Sequence, residues 1–326
     1  MDNEIFNSII EEYEKQQTKN KRDRDMRIKQ VYERVPEIEL IDKKISQVGS
    51  DTLKAILSDP ENKNAKEEMR KKFDILSQKR RMLLDKFGIP LDFDKLKYKC
   101  PLCKDTGYVE NKGRCSCFEQ KMINRLYKQS NMSELLKQQN FDRFELSYYS
   151  KKIPQGFKKS PYDNMKNIRS FCDKFIENFD NSNKNLIFYG STGLGKTFMS
   201  SCIARELMKR GKTVLYLRAA QLFRMLDDER FGRLKNGMEE VYRSDLLIID
   251  DLGTESDNRN NNSYLLELIN ERLISGRKMI INTNMNFEKL ENRYSRRFSS
   301  RLLESFDMLY FYGEDIRRQK LFNKKQ

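Results

Sequence analysis

The densest chemistry in the chain lies at Gly190-Ser191-Thr192-Gly193-Leu194-Gly195-Lys196-Thr197, which satisfies G-x-x-x-x-G-K-[ST] in full. Glycines at that spacing let a loop turn its N–H groups inward as an anion nest at a helix N-terminus. In such a loop Lys196 reaches the β- and γ-phosphates of ATP, and the Thr197 hydroxyl ligates Mg²⁺. The surroundings agree: an apolar strand over 186–189 precedes the loop and a helical run over 198–210 follows it. A second set is Leu246-Leu247-Ile248-Ile249-Asp250-Asp251, a buried strand with two carboxylates at its carboxyl end. Ligands of an open α/β sheet bind at that edge. Asp250 is therefore expected to hold magnesium through water, and Asp251 to orient or deprotonate the attacking water. The rival reading of Asp251 is a helix N-cap.

Met279-Ile280-Ile281-Asn282-Thr283-Asn284 reads as another buried strand. Beside the acidic strand it would bring Asn284 near the γ-phosphate, with a turn-forming asparagine as the alternative. Arg293, Arg296, Arg297 and Arg301 follow in a helical stretch, and Arg317 and Arg318 follow Gly313-Glu314-Asp315-Ile316. An exposed arginine can neutralise transition-state charge on a neighbouring subunit's nucleotide. It can equally face solvent or nucleic acid.

Cys100, Cys103, Cys115 and Cys117 form a C-x₂-C and C-x-C pair within 18 positions. Paired thiolates on tight turns, with Gly107 and Gly113 between them, suit a closed tetrahedral Zn²⁺ site. The chain has no histidine, so four cysteines are the closed set of the usual nitrogen and sulfur ligands that remains. Two alternatives stay open: a redox dithiol at Cys100 and Cys103, which leaves two cysteines superfluous, and an iron–sulfur cluster. Cys172 and Cys202, isolated on helices, read as buried apolar residues. Without histidine, acid–base catalysis must use carboxylates, Lys, Tyr or Cys.

Three zones position these residues. Residues 1–95 carry apolar stripes at helical spacing, such as Ile38, Ile41, Ile45 and Val48, and read as two or three amphipathic helices. Interruptions are expected near Gly49 and Pro60, and a stop at Gly88 and Pro90. Such a bundle buries its own stripes or leaves one for a partner. Residues 96–130 hold the cysteine module, with a turn and short hairpin strand over 105–109 and a helix over 119–129. Residues 131–163 contain a helix over 132–139 and a linker. From 164 to 326 strands at 186–189, 214–218, 246–250 and 279–283 alternate with helical stretches, the first of them over 164–179. That alternation implies an α/β fold, a parallel sheet flanked by helices.

Lys+Arg number 64 against 49 Asp+Glu, a net charge of +15. Such an excess favours a polyanionic partner such as nucleic acid, the bland alternative being a Lys-rich proteome. No run of about 18 apolar residues could span a membrane. The acidic start, Met1-Asp2-Asn3-Glu4, lacks a signal-peptide pattern. A cytoplasmic protein is expected.

The motifs GSTGLGKT, LLIIDDLG, INTN, SSRLLESF and GEDIRRQK together resemble the AAA+ ATPases, specifically the DnaC/DnaI-type replicative helicase loaders and the related IstB transposition helpers. The resemblance implies an ATPase that assembles in its ATP state and binds single-stranded DNA. It assigns Asn284 as first sensor, Arg301 as arginine finger and Arg317 as second-sensor candidate. The 42 residues after Asn284 (326 − 284) are too few for the full helical lid of the wider family, as in the loader and helper subfamily. The segment Phe231-Gly232-Arg233-Leu234-Lys235 is a candidate for the DNA face, or simply solvated. A helical N-terminus, a cysteine module and a P-loop domain together resemble the DnaI-type loader layout, whereas IstB-type helpers generally lack the metal module. That layout implies that residues 1–120 grip the replicative helicase hexamer and the ATPase half manages DNA. A metabolic P-loop kinase would need an acceptor pocket and a mobile lid, for which the sequence offers no candidate.

Overall fold

Proline, not glycine, punctuates the amino-terminal helices. In a computed structural model that describes residues 2–58, 63–111, 113–126, 138–231, 238–255 and 259–323, helix α1 (Asp2–Arg34) gives way to α2 (Pro36–Ser58) at Val35. Pro36 opens α2 at the first helical position, where its missing N–H is no loss. The interruption expected near Gly49 is absent, because α2 runs through that residue. A glycine inside a helix costs only about 1 kcal/mol, and packing of α2 on α3 (Lys63–Lys86) offsets it. Buried Ile38, Leu84, Ile89 and Phe93 form the small core there. Arg80 of α3 is bonded to Asp42 of α2 at 2.6 Å and to Asp94 at 2.7 Å. The break expected near Pro60 lies outside the described residues.

A two-stranded ribbon, β1 (Tyr108–Val109) with β2 (Gly113–Arg114), and helix α4 (Ser116–Leu126) follow. The helix expected over 132–139 lies almost wholly outside the described residues. The chain forms two compact units, Asn7–Gly113 and Met1–Phe6 with Arg114–Gln326.

The second unit is built on five parallel strands: β3 (Asn185–Gly190), β4 (Val214–Arg218), β5 (Leu246–Leu252), β6 (Lys278–Thr283) and β7 (Phe306–Phe311). Their order is β4-β5-β6-β3-β7, and every neighbouring pair is parallel. Helix α5 (Pro161–Glu177) precedes β3, crossovers run through α6 (Lys196–Lys209), α7 (Ala219–Arg230), α8 (Glu239–Arg243), α9 (Arg259–Ile274), α10 (Phe287–Tyr294) and α11 (Arg296–Ser305), and α12 (Ile316–Asn323) closes the described chain. Both faces are covered. Ile187, Leu217, Ile249 and Ile281 enter one core; Leu186, Phe188, Ile248 and Ile280 enter the other, with Cys172 and the α6 residues Met199 and Ile203. Each such aliphatic side chain contributes about 1.5–3 kcal/mol by leaving water, and that is why these runs become strands. Among the described residues no helix is long and apolar enough to cross a membrane.

Side chains alternate along a strand, so Tyr216, Asp250 and Asn282 fall on the face that α6 covers. They carry that face to the carboxyl edge of the sheet, where the phosphate-type loop leaves β3.

Candidate functional site

Backbone geometry explains the glycines of the loop between β3 and α6. Gly190 has φ +133°, and a Cβ there would meet the Phe311 carbonyl oxygen at 2.0 Å. Gly193 has φ +76°, and its Cβ would meet the Asp315 carboxylate at 2.1 Å. The loop is thus fitted tightly against the turn that follows β7. That turn is fastened further by the Ile316 N–H, which donates to the Gly193 carbonyl at 3.0 Å.

Lys196, the first residue of α6, is 7% exposed. Its ammonium donates to the carbonyls of Gly190 and Ser191, both at 2.7 Å, and to Asn284 Oδ1 at 2.8 Å. Burial pushes this lysine down to about 8, and Arg317 adds to the fall, while Asp251 and Asp250 oppose it. A lysine so poised keeps its charge near neutrality but holds it weakly.

Asp250 is 5% exposed and is held from three sides. Thr197 Oγ1 lies 3.2 Å from both carboxylate oxygens. The Tyr216 hydroxyl donates to Oδ2 and the Asn282 amide to Oδ1, each at 2.8 Å. The same amide reaches Ser200 Oγ of α6 at 2.9 Å. A hydroxyl beside a fixed carboxylate is the donor set that a hard cation such as Mg²⁺ takes.

Asp251 belongs to β5 rather than to a helix cap, and it is exposed. Its φ is +58°, in a region that few non-glycine residues adopt, and the β5–β6 register shifts between Ile249 and Leu252. The irregularity turns Asp251 into the cavity beside Lys196. Partial shielding of its carboxyl from water and the Asp250 charge raise it above the ordinary value, against the pull of Arg218, Lys196 and Arg317.

These groups converge on a cavity of about 470 Å³. Thr192 through Phe198, Asp251 and Asn284 line one side, and Ile316, Arg317 and Lys320 of α12 line another. Residues read as linker supply the rest: Phe144, Tyr148 and Tyr149 border the cavity. The Tyr149 hydroxyl donates to the Leu194 carbonyl at 3.0 Å, and Gln319 of α12 donates to the Tyr148 carbonyl at 3.1 Å. Arg301 is not among the groups brought here. It sits on α11 and pairs with Glu304 at 2.8 Å, half-exposed. Phe231 is 60% exposed, and the remainder of its segment, 232–235, lies outside the described residues.

The sulfurs of Cys100, Cys103, Cys115 and Cys117 lie within 4.8 Å of one another. Tetrahedral zinc with bonds of about 2.3 Å separates its sulfurs by about 3.8 Å, so small rotations of these side chains fit the ion. Asp105 braces the first cysteine turn. Its carboxylate accepts from the backbone N–H groups of Cys100 at 2.7 Å and Lys99 at 2.9 Å, and from the Asn20 amide at 2.7 Å. Burial alone would raise this carboxyl, and those donors hold it below the ordinary value.

Residues 119–313 match the family described as IstB-like ATP binding protein. The replicative helicase loader DnaC of Escherichia coli (strain K12) is 25% identical over 163 residues, which cover 49% of this chain and 66% of that relative's length, just under two thirds. An ATP-binding protein of insertion sequence IS1162 from Pseudomonas fluorescens is 34% identical over 92 residues, 27% of this chain and 38% of that protein. A crystal structure of DnaI aligns with 24% identity and a TM-score of 0.43, covering 56% of this chain and 93% of the other.

Proposed function

The chain belongs to the IstB-like ATP-binding protein family, and on that premise we propose that it is an Mg²⁺-dependent ATPase that loads a replicative DNA helicase hexamer onto single-stranded DNA. One observation carries the ATPase reading: Lys196, Asp251, Asn284 and Arg317 converge on a single cavity, with Thr197 hydrogen-bonded to Asp250 beside it. The loop from Gly190 to Thr197 wraps the phosphates, and Lys196 exchanges carbonyl acceptors for phosphate oxygens. Thr197 and Asp250 would hold Mg²⁺, which when bound neutralises charge on the phosphates. Asp251 takes the proton of the attacking water, and Asn284 positions that water. Phe144, Tyr148 and Ile316 offer the nucleoside an apolar wall. Arg317 acts on the same nucleotide, and Arg301 on that of a neighbouring copy, which makes turnover depend on self-association in the ATP state.

The loader assignment draws on the likeness to DnaC, on the helical amino-terminal unit and on the cysteine cluster. In this division of labour residues 1–120, with the helical region and the four cysteines, hold the helicase, and the ATPase domain, 164–326, manages DNA in the cytoplasm. Zn²⁺ on the four cysteines stabilises a module too small to hold itself together. Elemental analysis is expected to give about one zinc per chain, lost with structure around the site in Cys100→Ser. A metal-free parent with normal stability would remove zinc from this reading.

Co-purification of the full chain with the replicative helicase of its host, with and without ATP, tests the client. No complex under any nucleotide condition, with ATP and DNA binding intact, would favour a transposition helper. That second reading draws on the likeness to the IS1162 protein.

A pH dependence follows from Lys196, pushed down to about 8 by burial. Below that value the ammonium is charged and ready for phosphate. Above it, ATP must bring a proton with it, since the triphosphate raises the lysine again. Affinity is therefore expected to fall with rising pH above about 8, by at most tenfold per pH unit for one proton. Calorimetry at about pH 8.5 in buffers of different ionisation enthalpy should register proton uptake; none would contradict the burial argument.

A further inference from the structure

The outer edge of the sheet carries a second feature, apart from the nucleotide cavity. Tyr310 on edge strand β7 stacks on Tyr189, its register partner on β3, with ring centroids 4.8 Å apart. Tyr312 lies 5.4 Å beyond Tyr310. Phe157, from the loop before α5, stacks on Tyr312 at 4.3 Å. Phe157 also stacks on Tyr310, at 6.2 Å, so the four rings make one continuous cluster. Aromatic clusters of this size normally lie in a core, yet here Tyr310 is 41% and Phe157 37% exposed.

Positive charge accompanies the rings. The loop that supplies Phe157 reads Lys151-Lys152-Ile153-Pro154-Gln155-Gly156-Phe157-Lys158-Lys159, and all four lysines are exposed. The Tyr312 hydroxyl fixes this loop by donating to the Lys159 carbonyl at 3.0 Å. Neighbouring carboxylates are engaged elsewhere: Asp163 accepts from the Ser160 hydroxyl at 2.6 Å, and Asp307 pairs with Lys184 at 3.1 Å. Exposed rings alone would suit a protein partner, and lysines alone a phosphate backbone. The combination suits single strands, whose bases stack on rings while cations track their phosphates. Duplex bases, already stacked on each other, cannot use the rings.

We propose that Tyr310, Tyr312 and Phe157, with the lysines that flank Phe157, form a stacking platform for single-stranded nucleic acid. The inference rests on the reading above that this protein handles single strands, and it places them at the β7 edge. Strand β7 leads straight from the platform to the turn fastened on Gly193, so occupied platform and phosphate loop share one element.

Fluorescence anisotropy of the full chain with labelled oligothymidylate, in the presence of ATP and over a range of salt, tests it. Tyr310→Ala and Phe157→Ala are each expected to weaken binding roughly tenfold, with the salt dependence unchanged. Tyr310→Phe keeps the ring and should bind as the parent does. Lys158→Gln combined with Lys159→Gln should flatten the salt dependence, by about 0.7 in log–log slope for each phosphate no longer neutralised. A fluorescent ATP analogue, bound normally by each variant, certifies the fold. Parent-like affinity in both alanine variants overturns the platform while leaving single-strand handling intact. No binding by the parent overturns both. Equal affinity for a duplex, insensitive to ring removal, also overturns it. So does loss of self-association with oligonucleotide affinity retained, which would make this face a contact between copies of the chain.

Discussion

Lys196→Ala is expected to weaken ATP binding by at least about 100-fold while leaving the protein folded. A hydrogen bond to a charged group contributes about 1.5–3 kcal/mol, and Lys196 is placed to serve two phosphates, so a loss of about 3 kcal/mol or more is reasonable. Stability moves differently. The folded state holds this lysine at about 8, below its ordinary 10.5. The unfolded chain therefore binds that proton more tightly, and at neutral pH the charge works against folding. Against this, alanine gives up three hydrogen bonds to Gly190, Ser191 and Asn284. The two effects oppose, so thermal unfolding without nucleotide should shift by only a few degrees. ATP should raise the unfolding temperature of the parent and not of the variant. Retention of parent affinity for ATP would show that Lys196 is not the phosphate lysine.

The phosphate loop and the acidic strand were legible because each is contiguous: a few residues in a row fix both the backbone shape and the chemistry. Strands β3 to β6 were legible for a related reason, since strands buried on both faces must be apolar throughout. Edge strand β7 was missed although Met308-Leu309-Tyr310-Phe311 is an apolar run; in the fold its burial is mixed, from buried Phe306 to exposed Tyr310. Tyr216 and Asn282 were missed although the alternation rule could have found Asn282, two residues before Asn284 on a strand already identified. Tyr216 needed the strand order, which places β4 beside β5 with Arg218 opposite Asp250. Tyr149 and Phe144 had no local signal at all. They lie in short turns whose position is fixed by tertiary contacts, the Tyr149 hydroxyl on Leu194 and Phe144 against Phe198. The expected break at Gly49 failed because glycine's helical penalty is small beside the packing of a whole helix face.

Asp251→Asn is expected to keep ATP binding and reduce turnover by about 10²- to 10⁴-fold, the usual contribution of a positioned base. Asparagine is the informative replacement here for a structural reason. Asp251 sits at φ +58°, and asparagine tolerates that left-handed conformation where alanine would strain it. The backbone contacts of the position, its carbonyl accepting from the Thr254 N–H at 3.2 Å and hydroxyl at 2.8 Å, do not depend on the carboxylate. What the change removes is a negative charge and a basic oxygen. Removing the charge beside the phosphates should leave ATP affinity equal or tighter. Removing the base should stop the chemistry, because the neighbouring acids cannot replace it. Asp250 already accepts from Thr197, Tyr216 and Asn282, and Glu255 is engaged by Arg293 and Tyr294. Single-turnover phosphate release at saturating ATP, with single-stranded DNA present, separates binding from chemistry. A slow variant that binds normally supports Asp251 as the base. Unchanged release would move that role to a group outside the acidic strand, and the raised carboxyl of Asp251 would then reflect only its partial shielding beside Asp250.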